Sequence, residues 1–190
     1  KVEGPRQAAT DAAEEFVKER GLVYMSHNLS PYFSEGMKAA SYEIAEVLDD
    51  GIDHVVLPVG NGSLLIGMVR GFEELLEAGI IARIPKFHGV QAAAVRPVVA
   101  ALNGEAWSHD DVLPTNASGI AVSKPPRLAE MVEAINSTNG TGVTVSEESL
   151  IEWQKRLSSS EGIFAEMTSA GAFEGLRKLI ESGVIEKDSN

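Results

Sequence analysis

His54-Val-Val-Leu-Pro-Val-Gly-Asn-Gly-Ser-Leu-Leu-Ile-Gly-Met-Val-Arg-Gly-Phe-Glu-Glu-Leu-Leu76 joins an apolar run to an amphipathic stretch through four small residues, Gly60-Asn61-Gly62-Ser63. The run Val55 to Val59 predicts a strand, and the spacing after Ser63 predicts a helix to about Ala78. A strand, a glycine turn and a helix start in that order can hold an anion. Glycines allow close approach of backbone to an oxyanion. The first N–H groups of a helix have no partner inside it, and the helix dipole favours negative charge there. The Ser63 hydroxyl adds a further donor. Residues 60–63 are therefore a candidate phosphate cradle; spacing alone leaves a plain tight strand–helix turn equally open. No Gly-Lys-Ser/Thr follows, so this is not an ATP-type P-loop. The full Gly-x-Gly-x-x-Gly spacing and ribose-binding acid of dinucleotide sites are also missing.

Upstream, Ala8, Ala9, Ala12, Ala13, Phe16 and Val17 predict a helix from Pro5 to Glu19, ended by Gly21. Leu22 to Met25 reads as a short strand and Ser26 to Ser34 as a polar loop. Met37, Ala40, Ile44, Ala45 and Leu48 share one face of a helix over Glu35 to Leu48, closed by Asp49-Asp50-Gly51. Downstream, Lys86 to Ala92 reads as a strand, Val95 to Leu102 as a helix and residues 103–118 as irregular, before a short apolar piece, Gly119 to Val122. Pro125-Pro126 suits the first turn of a helix through Ile135. Gly142 to Val145 is a strand. Ser146, Glu147 and Glu148 fit the start of a helix to about Leu157. Gly162 to Ala165 reads as a short strand, and Thr168 to Ser182 as the last helix. Alternating strands and helices imply an α/β fold: a doubly wound, largely parallel sheet with helices on both faces. Ligands of such sheets sit beyond the carboxyl ends of the strands, where residues 60–63 fall.

Bulk properties narrow the partners. The 190 residues suit one domain or part of a larger one; 44% are apolar and 23% charged, and the formal net charge is −12. That balance argues against a nucleic-acid partner, since no Lys/Arg cluster is present to displace phosphate counterions. There is no cysteine, which removes disulfides, thiolate catalysis and Cys-ligated zinc and makes a cytoplasmic location the expectation. No apolar run approaches the roughly 18 residues of a membrane helix. Lys1-Val-Glu-Gly-Pro-Arg is not a signal peptide and carries no initiator methionine, so a fragment or processed product is expected. His27, His54, His88 and His109 are scattered without metal-ligand spacing, so no metal site is expected. Ser63 and Ser169 lack His/Asp partners for a hydrolase triad, and Trp107 and Trp153 read as packing residues.

Five stretches, in order, resemble the fold-type II pyridoxal-phosphate enzymes, with threonine synthases and their homologues as the nearest group. Leu57 to Leu64 is similar to the family's phosphate loop, and Asn28 to Gly36 to its Asn-Pro-Tyr…Glu-Gly segment. Phe87 to Ala92 is similar to the strand after the phosphate-loop helix. Pro114 to Ala121 is similar to the Thr-x-Ala-x-Gly-Ile segment that passes the cofactor ring. Gly162 to Ala170 is similar to the Gly-Ile-x-x-Glu-Pro-x-Ser-Ala segment at the last helix, with Met167 in place of the proline.

The resemblance implies pyridoxal 5'-phosphate as cofactor, bound by Gly60, Asn61, Gly62, Ser63, Gly119 and Glu166. Glu35 and Gly36 are open between a pocket wall and an ordinary first turn. It further implies a small amino-acid substrate and a homodimer. The family's Schiff-base lysine, in a Ser-x-Lys motif, has no counterpart: Lys38, Lys86 and Lys124 stand in other settings, so no catalytic residue is assigned. The upstream Ser-x-Gly-Asn loop for the substrate carboxylate, and the Ser/Thr that faces the pyridine nitrogen, are likewise unmatched. The implied arrangement is a C-terminal part of such an enzyme: residues 1–50 end the small domain and cross over, and residues 51–190 form the large domain. The implied parent is a lyase, threonine synthase acting on O-phosphohomoserine, with ammonia lyases of threonine, serine or diaminopropionate as the alternative. The isolated chain is expected to be inactive. A non-enzymatic α/β module that binds a phosphorylated metabolite at residues 60–63 is a second alternative, and a structural oligomerisation domain a third.

Overall fold

Strands β1 (His54–Pro58), β2 (Lys86–Ala92) and β3 (Gly142–Val145) run parallel in the order β1-β2-β3. Val55 lies opposite Phe87, Leu57 opposite Gly89, and Val90 opposite Val143. This is a computed structural model, and it describes residues 1–4, 6–48 and 51–190. Pro5, expected to open the first helix, and Asp49-Asp50, expected to close the second, lie outside the described residues.

Both sheet faces are covered, as parallel sheets require. On one face Leu57, Val59 and Phe87 pack with Leu65, Val69 and Phe72 of α4 (Ser63–Glu77) and with Met131 and Ile135 of α6 (Leu128–Ser137). Phe72 meets Phe87 edge-on at 5.8 Å between ring centroids. On the other face Val90, Ala92 and Val145 pack with Leu150 of α7 (Glu147–Glu161) and with Met167 at the start of α8 (Met167–Glu181). Each large side chain buried this way contributes about 1.5–3 kcal/mol. The doubly wound, parallel arrangement expected from the sequence is therefore present.

Tertiary packing reshaped several elements. Helix α1 (Arg6–Arg20) ends before Gly21 as expected, but Leu22 to Met25 pairs with no strand among the described residues. An apolar extended run becomes a strand only where a neighbouring backbone completes the ladder. The loop before Ser34 is shorter than expected, because Pro31 opens α2 (Pro31–Gly36), where its fixed φ suits a first helical position. The helix expected over Glu35 to Leu48 breaks at Met37-Lys38, and α3 (Ala39–Val47) continues it. The break lets both pieces seat on α4, where Ser41 Oγ donates to the Met68 carbonyl at 2.7 Å.

Helix α5 (Pro97–Leu102) begins two residues late, and α6 begins three residues after Pro125. Pro126 disfavours the helical region for the residue before it, so Pro125 cannot join the helix. Ser146 caps α7 as expected, accepting from the Ser149 N–H at 3.3 Å. Gly162, at φ 67°, ends α7, and the strand expected at Gly162 to Ala165 is an irregular link into α8. At the chain end, the Asn190 carbonyl accepts from Asp53 N at 2.9 Å and His54 N at 3.1 Å, beside the start of β1. Among the described residues no helix is long and apolar enough to cross a membrane.

Candidate functional site

The glycine turn leaves β1 at its carboxyl end. Val59 N–H donates to the Val90 carbonyl at 2.9 Å, and the Val59 carbonyl accepts from Gln91 Nε2 at 3.0 Å. These two bonds fix the last residue before the turn. Gly60 then passes so close to Gly119 that an added Cβ would stand 2.9 Å from the Gly119 carbonyl oxygen. Gly62 caps α4 at φ 82°, and an added Cβ there would strike the buried Met131 side chain. Only glycine meets both the left-handed backbone and the tight space.

Helix α4 opens without a side-chain cap. The Gly62 carbonyl accepts from Ile66 N at 2.9 Å, which begins the helical ladder. The N–H groups of Ser63, Leu64 and Leu65 lie ahead of that ladder and point out of the helix start. Ser63 is buried, and its Oγ has no hydrogen-bond partner. A buried unpaired hydroxyl costs free energy unless something accepts from it or donates to it. Free N–H groups, a helix N-terminus and that hydroxyl together match the oxygens of a phosphate. The residues present thus fit the phosphate end of pyridoxal phosphate.

The second part of the site is a junction the sequence placed far apart. Gly119 N–H donates to Thr168 Oγ1 at 3.2 Å, and Thr168 Oγ1 donates to Glu166 Oε1 at 3.0 Å. Gly60, Gly119 and Glu166 therefore meet at the ends of β1, the 114–119 segment and α8. Glu166 and Gly119 are exposed, so this side of the junction is open. Thr168 was missed by sequence reasoning, although it stands two residues after Glu166 in a matched motif. Glu147 is an acid in the first turn of α7, as its place in the sequence implies. It also ties down the 114–119 segment, its Oε2 accepting from Asn116 N at 2.8 Å and from Asn116 Nδ2 at 3.1 Å.

Beside the turn lies a cavity of about 330 Å³, lined in part by Asn61, Thr115, Ala121 and Val122. The other sequence candidates lie elsewhere. Glu35 forms ion pairs with Lys38 and Arg70, and the Lys38 hydrogen bond holds its carboxyl below the usual range. Trp107 and Trp153 are separate: the first donates to the Ser123 carbonyl at 3.2 Å, the second stacks on Phe173 at 5.8 Å. His54 and His88, 34 residues apart in the sequence, meet across β1 and β2 with Nδ1 and Nε2 2.9 Å apart. Burial pushes His88 down to about 4. Two histidines do not make a metal centre, and no group of three or more metal-ligating residues is found among the described residues.

Comparison with known proteins agrees with this geometry. A model of the pyridoxal-phosphate dependent enzyme family matches residues 1–190. Threonine synthase of Methanocaldococcus jannaschii is 35% identical over 193 residues, covering 98% of this chain and 47% of that protein. Threonine synthase of Methanosarcina acetivorans is 36% identical, covering 87% of this chain and 42% of that protein. The chain thus spans about half the length of these curated relatives. The structure of the processed form of threonine deaminase isoform 2 from Solanum lycopersicum superposes with a TM-score of 0.75 at 24% identity, over 97% of this chain and 51% of that one. That likeness shows the shared fold. The glycine turn at a strand's carboxyl end, the doubly wound sheet and the full-length family match converge: this chain belongs to the pyridoxal-phosphate dependent enzymes of fold type II.

Proposed function

We propose that the parent protein is a pyridoxal-phosphate-dependent lyase acting on O-phosphohomoserine, a threonine synthase. The unpaired buried Ser63 hydroxyl at the open N-terminus of α4 carries the cofactor part of this reading. The 35% and 36% identities to two threonine synthases support the substrate part.

The residues take distinct roles. Gly60, Asn61, Gly62 and Ser63 would hold the cofactor phosphate through N–H groups and one hydroxyl. Gly119 and Glu166, joined through Thr168, would line the part of the site that takes the cofactor ring. The cofactor, when bound, supplies an electron sink for charge developing on the substrate. In this reading residues 1–50 end the smaller domain and cross into the larger, and residues 51–190 form the larger. No lysine here stands in a Ser-x-Lys motif, so the 190-residue chain alone performs no turnover.

Titration of the chain with pyridoxal 5'-phosphate, followed through the amide signals of Gly62 and Ser63, tests the clamp. Shifts concentrated at residues 60–65 are expected; an unresponsive turn would overturn it. Assay of the parent protein tests the substrate. Phosphate release from O-phosphohomoserine is expected, whereas ammonia release from threonine or serine with inert O-phosphohomoserine would assign the ammonia-lyase activity instead.

A further inference from the structure

Most residues of the 114–119 segment are exposed, yet its backbone must lie in one place for Gly119 to stand against Gly60. Three anchors hold it. Ala117 is fully buried among the residues packed on β2 and β3. Gly119 N–H donates to Thr168 Oγ1 at 3.2 Å. The third anchor is Glu147 of α7, whose Oε2 accepts from the Asn116 main chain at 2.8 Å and from the Asn116 side chain at 3.1 Å. Hydrogen bonds to a carboxylate are about twice as strong as those between neutral groups. Ordering an exposed loop costs backbone entropy, which this pair of bonds offsets at Asn116.

Helix stability does not account for where Glu147 sits. A first-turn acid acts on the helix dipole from an exposed position. Glu148 already stands there, its carboxyl held below the usual range by its own main-chain N–H and by Ser146. Glu147 is instead partly buried, and its Oε1 lies buried without a hydrogen-bond partner among the described residues. A buried unpaired oxygen costs free energy, and the carboxylate keeps that position with its other oxygen on Asn116.

The hold on Asn116 reaches the site through backbone alone. Ala117 follows it, and the Ala117 carbonyl accepts from Ile120 N at 3.1 Å, which closes a short turn around Gly119. A Cβ on Gly60 would stand 2.9 Å from the Gly119 carbonyl oxygen and 3.2 Å from Ile120 Cα. Glycine turn and segment thus pack main chain to main chain, and a shift in one is felt by the other.

We propose that Glu147 is a positioning residue for the cofactor ring: by holding Asn116 it sets where the Gly119 backbone stands relative to the phosphate turn. The proposal rests on residues 60–63 being the phosphate clamp and on Gly119 lining the ring side of the site. Glu147 itself belongs to neither the turn nor the segment.

The test compares binding of pyridoxal 5'-phosphate and of inorganic phosphate to the chain, read from the amide signals of Gly62, Ser63 and Gly119. Inorganic phosphate reports the clamp alone, and the excess affinity for pyridoxal phosphate reports the ring. Glu147→Ala is expected to lower the affinity for pyridoxal phosphate about tenfold, the effect of one charge-assisted anchor, and to leave inorganic phosphate within about twofold. Glu147→Gln keeps an oxygen for Asn116 and retains most of the preference. It also places an amide N–H group where Oε1 lies unpaired, so its urea midpoint is expected to fall. Glu148→Ala, a control at the same helix start, keeps the parent preference. A preference that survives Glu147→Ala, an equal loss for both ligands, or a preference that follows the urea midpoint across the variants overturns the proposal and leaves the clamp standing. If Gly62 and Ser63 of the parent chain answer neither ligand, the clamp itself falls and takes the proposal with it.

Discussion

At the scale of single residues, Gly62 and Ser63 separate stability from binding. Gly62 sits at φ 82° against Met131. Gly62→Ala adds left-handed strain and a clash, and is expected to destabilise by about 1–3 kcal/mol, read from the urea midpoint, and to weaken cofactor binding as well. Ser63 behaves differently because its hydroxyl is buried and unpaired. Ser63→Ala removes an unsatisfied polar group, so the apo chain is expected to be as stable as the parent or slightly more so. Its affinity for pyridoxal phosphate is expected to fall about tenfold, the loss of one charge-assisted hydrogen bond. A stability loss without an affinity loss would show that Ser63 serves the fold alone. Both residues were legible in the sequence, since small residues between a strand and a helix admit few readings. Thr168 was not, because nothing local tells a first-turn threonine that Gly119 lies 3.2 Å away.

Between elements, Gln91 is the joint that holds the site end of the sheet. It is fully buried in β2. Its Nε2 donates to the Val59 carbonyl at 3.0 Å, and its Oε1 accepts from Val98 N at 2.9 Å and Val99 N at 3.1 Å. One side chain therefore caps the first turn of α5 and pins the residue that enters the phosphate turn. Gln91→Leu keeps the bulk but strands these buried partners, and a loss of roughly 2–4 kcal/mol is expected in chemical denaturation. A change under about 0.5 kcal/mol would mean that the partners find substitutes. Helix α4 is positioned from its other side by close packing: a Cβ on Gly71 would stand 2.9 Å from Ser41 Cβ and 3.0 Å from the Lys38 carbonyl. Gly71→Ala forces α3 away and is expected to cost about 1–3 kcal/mol. Periodicity predicted both helices, yet it could not predict the break at Met37-Lys38, which exists because α2 and α3 each fit a separate stretch of α4.

Over the whole molecule, the strand histidines tie stability to pH. His88 is held at about 4, chiefly by burial and then by the charges of His54 and Lys86. Burial also lowers His54. In the unfolded chain His88 titrates near its ordinary value of 6.5. Between those two values the unfolded state binds more protons, so stability rises with pH through that window. It is complete above about 6.5, falls as pH drops towards 4, and receives no further loss from this group below that. Urea midpoints measured from pH 7 to pH 4 are expected to show this slope, and His88→Gln to flatten it. An unchanged slope in the variant would place the acid sensitivity elsewhere.

The sequence by itself determined the glycine turn, the alternation of strands and helices and the covering of both sheet faces. Each of these follows from short-range spacing of apolar and small residues. Only the tertiary structure decided which apolar runs became strands: Val55 to Val59 and Lys86 to Ala92 found partners, while Leu22 to Met25 and Gly162 to Ala165 did not. It alone joined Gly119 to Thr168, His54 to His88 and Lys124 to the cavity at Asn61. These pairs stand tens of residues apart, and a hydrogen bond or a ladder partner at that separation is set by how the layers pack, which no local pattern encodes.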